Sequence, residues 1–328
     1  MRRRILVTGG TGLVGNNVIR LLIQQGHDVR ALVRAGSSSR PLEGLDVESV
    51  TGDVQDEASV IAACRDMDAV IHAAGIVKIG WNLAGNMHEI NVDGTKHVAN
   101  AARQIDCRMI HVSTVNALAV TGPDVIANEL TPLSGNEIPC NYVETKRAAD
   151  AIVHGEIEKG LNATIVYPGM MLGPWDWKPS SGQMLLAVAR QFTPAAPSGG
   201  ISVSDVRDVA KSIIGIATSD EAPPHRDYIM AGHNLTYFDF WKRMAAVTRA
   251  RPPVFRIGKL LEKSICVGTD IISKVLPSEP IVNSAAIRMG QQFHYYDSSR
   301  AQSDLGYTVS DLDITIANAW HWLNDNHK

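Results

Sequence analysis

Cysteine is scarce in this chain: four in 328 residues, at Cys64, Cys107, Cys140 and Cys266, with no C-x-x-C spacing. That excludes a disulfide framework and leaves ordinary reduced thiols. No His pair stands at ligand spacing beside supporting acids, so no metal is expected. Charge of one sign is not in excess either, with 31 basic against 34 acidic residues and a formal net charge of -3. Such balance supplies no global pull toward nucleic acid or anionic lipid, and neither is expected as a partner. Long apolar runs are missing too. After Met1-Arg2-Arg3-Arg4 the run Ile5–Val7 is broken by Thr8-Gly9-Gly10, too short for a signal peptide, and nothing later resembles a membrane span. The expectation is a cytoplasmic protein. With 45% hydrophobic residues and no low-complexity block, it has ample core to fold without staples.

What is present is an alternation of short apolar runs with helical patterns. Strands are expected at Ile5–Thr8, Asp28–Val33, Val47–Thr51, Ala69–Ala73, Met109–Ser113 and Ala163–Tyr167. Helices are expected at about Leu13–Gln25, Glu57–Cys64, Met87–Gln104 and Tyr142–Lys159. The strands are apolar throughout instead of alternating, which indicates a sheet covered on both faces. Right-handed crossovers then give an α/β fold with a doubly wound parallel sheet, of Rossmann type. After Pro168 prolines and glycines cluster and the βα rhythm stops. The expected division is a dinucleotide-binding domain over 1–175 and a smaller, mainly helical substrate lobe over 176–328. A segment near 200–220 is expected to return to the first domain.

The turn after the first strand reads Thr8-Gly9-Gly10-Thr11-Gly12-Leu13-Val14-Gly15. Glycines there allow a tight turn, close backbone approach to a pyrophosphate and close helix–strand packing. The helix N-terminus offers free N–H groups and a favourable dipole. Gly9, Thr11, Gly12, Leu13, Val14 and Gly15 are therefore expected at the phosphates of a dinucleotide. An acid at the end of strand two would hold a ribose 2′-hydroxyl, but Arg34 stands there, with no acid before Glu43. NADP is thus expected over NAD, with Arg34 at the 2′-phosphate. Asp53 and Val54 are placed at the adenine, and Ala73, Ala74 and Gly75 leave room for a flat cofactor. His72 reads as a packing residue.

Tyr142 and Lys146 stand four apart, on one helix face. An ammonium near a phenol lowers its pKa from about 10, so the phenol can give or take a proton. The pair follows one strand after Val112-Ser113-Thr114, hydroxyls at the C-terminal sheet edge where open α/β folds bind ligands. A hydroxyl there can hold a carbonyl oxygen and its developing charge.

Together these residues resemble the extended short-chain dehydrogenase/reductase superfamily. The matching motifs are the glycine turn, Gly52-Asp53-Val54, His72-Ala73-Ala74-Gly75, Asn91-Val92-Asp93-Gly94-Thr95, Tyr142-x-x-x-Lys146 and Tyr167-Pro168-Gly169, in the family's order. Val203–Ala210 and Tyr296–Tyr307 extend the likeness through most of the chain. Within the superfamily it is most similar to the dihydroflavonol-4-reductase-like members of the NAD-dependent epimerase/dehydratase group. The resemblance implies Tyr142 as acid/base, Lys146 on the nicotinamide ribose, and Thr114 as the catalytic hydroxyl, with Ser113 the alternative one position earlier. It implies Asn91 in ordering the active-site helix and a water relay, and Tyr167, Pro168 and Gly169 lining the nicotinamide pocket. It also implies a homodimer, through helices near Val98–Gln104 and Val143–Lys159.

Three functions remain open. The first is an NADP-dependent reductase of a ketone or aldehyde; the second is an NAD(P)-retaining nucleotide-sugar epimerase. The third is a cofactor-sensing protein without turnover, which retention of Thr114, Tyr142 and Lys146 disfavours. Val115-Asn116 stands where sugar dehydratases carry Asp-Glu, so dehydration is not expected. Arg34 favours an exchangeable NADP and the reductase. Candidate substrate residues are Trp81, Ser113, Met170 and Trp175; the tryptophans fit either stacking on a ligand or packing between lobes. Few basic residues lie near them, which points to a small-molecule carbonyl compound of little charge.

Overall fold

The structure, a computed structural model, describes residues 1–82, 85–275 and 282–327. Residues 276–281 and Lys328, within the span expected for the second lobe, lie outside the described residues.

The first half is a run of βα units. In chain order they are β1 (Arg4–Thr8), α1 (Leu13–Gln24), β2 (Asp28–Val33), β3 (Glu48–Thr51), α2 (Glu57–Cys64), β4 (Ala69–His72), α3 (Gly94–Gln104), β5 (Arg108–Val112), α4 (Asn141–Glu158) and β6 (Ala163–Pro168). The second half holds β7 (Met170–Leu172), α5 (Ser181–Arg190), β8 (Ala195–Ala196), β9 (Gly200–Asp205), α6 (Val206–Thr218), β10 (Asp227–Met230), β11 (His233–Thr236) and α7 (Tyr237–Thr248). It ends with β12 (Phe255–Arg256), α8 (Lys259–Val275), α9 (Ser284–Met289), α10 (Ser299–Leu305) and α11 (Leu312–Asn326). Among the described residues no helix is long and apolar enough to cross a membrane.

Seven parallel strands form the central sheet in the order β10-β6-β5-β4-β1-β2-β3. Order reverses between β1 and β4, which opens a crevice at the carboxyl ends of these two strands. Because side chains alternate across a strand, successive apolar residues feed two cores. Ile5 and Val7 join α1 and α6 on one face, whereas Leu6 joins α2, α3 and α4 on the other. That is the physical reason the strands read as unbroken apolar runs. The chain comes back to this sheet late: α6 packs beside α1, and β10 adds to the free edge of β6.

The smaller lobe is built on the sheet β11-β9-β7, with α5, α7 and α11 packed around Phe240, Ile316 and Leu323. A further small core joins Met87, Cys140, Tyr142, Val143, Ala285 and Met289. It fastens the start of α4 to α9, and so fixes Tyr142 between the two lobes.

One expected element differs. The helix anticipated from Met87 is regular only from Gly94; over Glu89–Asp93 the ladder widens to a π-turn. Such turns redirect side chains within a helix, and this one carries Asn91.

Candidate active site

The glycine turn is built as its spacing predicts. Gly9 has φ +73°, and a Cβ there would lie 2.6 Å from the Ala73 carbonyl carbon and the Ala74 nitrogen. Only glycine lets the loop lie on the end of β4. A Cβ at Gly15 would strike the Gly9 oxygen at 2.4 Å, so this residue lets α1 begin flush against the loop. Gly12 is different, with only the Gly9 oxygen at 3.4 Å from its hypothetical Cβ. Gly12 is also the N-cap of α1, and no side chain caps the helix. Leu13, Val14 and Gly15 therefore present first-turn N–H groups over an unobstructed loop. This cradle fits a dinucleotide pyrophosphate.

At the far end of the crevice lies an open cavity of about 570 Å³, lined by Arg34, Ser37, Ser38, Asp53 and Lys178 among others. Arg34 and Lys178 give it two cations. Lys178 comes from a loop 144 positions downstream of Arg34, and no local pattern marks it. Arg40, by contrast, turns to the Trp177 ring, 5.0 Å from its centroid. Asp53 folds back on its own loop, its Oδ1 accepting from the Gln55 N–H at 3.1 Å. Asp56 caps α2. Val54 is buried, and its carbonyl meets His97 Nδ1 at 2.8 Å.

At the other end Tyr142 and Lys146 are both buried on α4. Thr114 hydrogen-bonds the Tyr142 phenol and also caps the turn after β5, accepting from the Asn116 N–H at 3.3 Å. Lys146 Nζ donates to the Val112 carbonyl at 2.8 Å. The expected lowering of the phenol pKa is not what this site shows. Burial pushes the Tyr142 phenol up to about 12, against the stabilising hydrogen bond from Thr114. Desolvation wins because the ring sits among Met87, Cys140 and Met289, while the ammonium is turned to a carbonyl. Lys146 is itself pulled down by burial, partly offset by Asp150.

Ser113 and Thr114 point different ways, as neighbours on a strand do. Ser113 Oγ donates to Asp150 Oδ2 at 2.8 Å beneath α4, so the hydroxyl proposed for substrate is instead turned to a buried carboxylate. The expectation that Trp175 lines the substrate pocket is also corrected. Its ring lies 3.5 Å from the Arg20 guanidinium and packs with Trp177 and Trp322, closing the seam between α1 and α11. Trp81 is placed better: its carbonyl accepts from Asn141, beside Tyr142, and its indole donates to Ser284 Oγ at 2.7 Å. Met170 opens β7 and packs partly in the small-lobe core. Tyr167 does not aim its hydroxyl at the crevice but donates to Asp227 Oδ1 at 3.0 Å, on β10. Gly169 serves strand packing, since a Cβ there would lie 2.7 Å from the Ser202 carbonyl oxygen.

Asn91 is an organiser. Its Oδ1 accepts from the Ile76 N–H at 2.7 Å, and its Nδ2 donates to the Ile76 carbonyl and to Thr145 Oγ1, each at 3.1 Å. The loop after Ala73, Ala74 and Gly75 is thereby tied to α4. His72 does more than fill space. It meets Thr8 Oγ1 at 2.7 Å through Nδ1 and Thr95 Oγ1 at 3.0 Å through Nε2. Thr95 donates to the Asn91 carbonyl at 2.7 Å. A continuous buried network thus links the glycine turn to the helix that carries Tyr142.

Residues 5–231 match the model of the NAD dependent epimerase/dehydratase family. The chain is 29% identical over 325 residues to a putative dihydroflavonol 4-reductase of Synechocystis sp., covering 98% of this chain and 94% of that protein. It is likewise 29% identical over 324 residues to sterol demethylase protein B of Methylococcus capsulatus, covering 98% of each. Among solved structures, the crystal structure of gox2253 matches with a TM-score of 0.85 at 27% identity, over 99% of both chains.

Proposed function

The chain belongs to the NAD dependent epimerase/dehydratase family, within the extended short-chain dehydrogenase/reductases, and from that premise we propose that it is an NADP-dependent reductase of an uncharged ketone or aldehyde. The observation that carries this reading is the reacting end of the crevice. Tyr142 is held as a neutral phenol by burial, beside Thr114 and one turn from Lys146. A phenol that keeps its proton at neutral pH is a proton donor, which is what a carbonyl oxygen requires as it becomes an alkoxide.

The geometry supports the following roles. Bound reduced nicotinamide supplies the hydride. Thr114 orients the carbonyl oxygen and Tyr142 gives it a proton. Lys146 is the residue to hold the nicotinamide ribose, and the first turn of α1 the pyrophosphate. Arg34 and Lys178, on the rim of the 570 Å³ cavity, supply the charge for a 2′-phosphate. An apolar substrate is supported by the setting of Tyr142 among Met87, Cys140 and Met289. The names of the two relatives point the same way, to a dihydroflavonol and a sterol.

Binding of NADPH and NADH to the purified protein is the test. Exchangeable NADPH, tighter than NADH by roughly tenfold or more, upholds the reading. NAD retained through purification would instead favour an enzyme that oxidises and re-reduces its substrate, as an epimerase does.

A further inference from the structure

The even overall charge conceals one uneven stretch. Residues 237–263 hold seven basic side chains against two acids, Asp239 and Glu262, in a chain whose formal net charge is -3. The same stretch exposes apolar side chains. Val254 is 69% exposed and Phe255 beside it 47%. The pairing of β12 with β8 holds both at the surface, since their N–H groups donate to the Pro194 carbonyl at 2.8 and 3.2 Å. Phe192, two residues before that proline, is exposed as well.

Helix α8 continues this surface. Its Lys263 and Val267 stand one turn apart and both are exposed, as is Leu261. Cys266 and Asp270, also one turn apart, turn to the protein: Cys266 is buried and Asp270 accepts from Ser284 Oγ on α9. Cations flank the apolar tips. Arg249, Arg251 and Arg256 are exposed around Val254 and Phe255, and Arg256 and Lys242 lie 5.3 and 4.8 Å from the Phe238 ring centroid. Another exposed apolar stretch, Val125, Ile126, Leu130 and Leu133, has the opposite setting. Residues 120–140 hold three acids and no basic residue.

Single exposed apolar residues need no account, but a cluster of them does. Aliphatic and aromatic tips ringed by cations match the boundary of an anionic bilayer. The tips enter the acyl region while guanidinium and ammonium groups meet the phosphates. A nucleic acid would meet the cations but gain no stacking from Val254, Leu261 or Val267. A second copy would set one positive surface against another. We propose that the face formed by β12 and the outer side of α8 docks reversibly on an anionic lipid surface. Its place in the fold gives it a use, which rests on the reductase reading with an apolar substrate. Ser284 Oγ, bonded to Asp270, accepts from the Trp81 indole at 2.7 Å, and the Trp81 carbonyl accepts from Asn141, next to Tyr142. The docking helix is thereby tied to the residues around the phenol, and a ketone dissolved in the bilayer has a short route to it.

The test is co-sedimentation of the full chain with vesicles of phosphatidylcholine alone and of phosphatidylcholine mixed with phosphatidylglycerol. Binding to the anionic vesicles only, weakening as salt rises, is expected. Phe255→Ser, and Arg251→Glu combined with Lys263→Glu, should each lower the partition coefficient about tenfold. Their thermal midpoints should stay unchanged, because all three side chains are exposed. Leu130→Ser, in the acidic apolar stretch, should bind as the wild type does. Equal binding to both kinds of vesicle, binding to neither, or an equal loss in Leu130→Ser would overturn the docking face. So would a dimer that Phe255→Ser dissociates, which would give the face to a second copy. Vesicle binding by a protein that reduces no ketone would sink the reductase reading and leave the docking face standing. Reductase activity without vesicle binding would sink the docking face alone.

Discussion

The two ends of the cofactor crevice are built on opposite physical terms. At the reacting end Thr114, Tyr142 and Lys146 are buried, and so is the Asp150–Ser113–His111 cluster behind them. At the opposite end Arg34 and Lys178 stand exposed around an open cavity. Where water is excluded, desolvation decides: the phenol rises to about 12 in spite of a lysine one turn away. Where water enters, charges are screened and each contributes modestly. The lesson is that identical-looking charges, Lys146 and Lys178, have different meanings. One is buried and fixed by its carbonyl partner; the other stands in solvent on the rim of an open cavity.

The largest effect is expected at the dry end. Tyr142→Phe removes the hydroxyl proposed as proton donor while keeping the ring, so kcat should fall about 10²–10⁴-fold. Unchanged NADPH binding, measured by fluorescence titration, would confirm that only chemistry was lost; an active variant would remove Tyr142 from the reaction. Gly9→Ala tests the hinge between the two ends. At φ +73° and 2.6 Å from backbone, the added methyl must push β4 and the loop apart. Loss of both cofactors' binding is expected, with destabilisation of at least about 1 kcal/mol by denaturant titration.

At the wet end Arg34→Ala should weaken NADPH roughly tenfold and leave NADH unchanged. The deficit should shrink as salt is added, because screening has already taken part of the attraction. An equal loss for both cofactors would move Arg34 away from the 2′-phosphate. Lys178→Ala should act in the same direction and more weakly.

The smallest effect concerns pH and stability. Burial holds His72 and His111 well below their ordinary value of 6.5. The unfolded chain takes up protons there that the folded one refuses, so this part of stability falls as pH drops through about 6.5. Asp150 has the opposite sign. Its folded carboxyl titrates near 7 and its unfolded one near 3.8, so its contribution falls as pH rises between those values. Asp150→Asn should therefore gain in thermal midpoint relative to wild type on going from pH 5 to pH 8. A constant difference would mean that Asp150 is ionised throughout that range.

The first half of the fold was legible because each βα unit announces itself locally. Asp28–Val33 and Glu57–Cys64 are strand and helix over the residues their patterns indicated. The glycine turn was readable for the same reason: three glycines at fixed spacing after an apolar strand have few structural alternatives. Tyr142, Lys146 and Thr114 were legible as a spacing and a strand end. Their electrostatics were not. Spacing places a lysine near a phenol but says nothing of the Val112 carbonyl that holds the ammonium, or of Met289, 147 residues downstream, that dries the ring. Trp175 misled for a similar reason, because a tryptophan beside a crevice looks alike whether it awaits a ligand or leans on Arg20 and Trp322.

By itself, then, the sequence determined the order of strands and helices in the first half, the two-sided burial of the sheet, the glycine cradle and the helix on which Tyr142 and Lys146 share a face. These depend on periodicity and on backbone freedom, which are properties of short segments. Tertiary structure alone decided that Ser113 bonds Asp150, that Lys178 joins Arg34, and that His72 ties Thr8 to Thr95. Those depend on which distant side chains share a dry or a wet volume. Burial, the term that outweighs charge at Tyr142, exists only once the chain has closed around it.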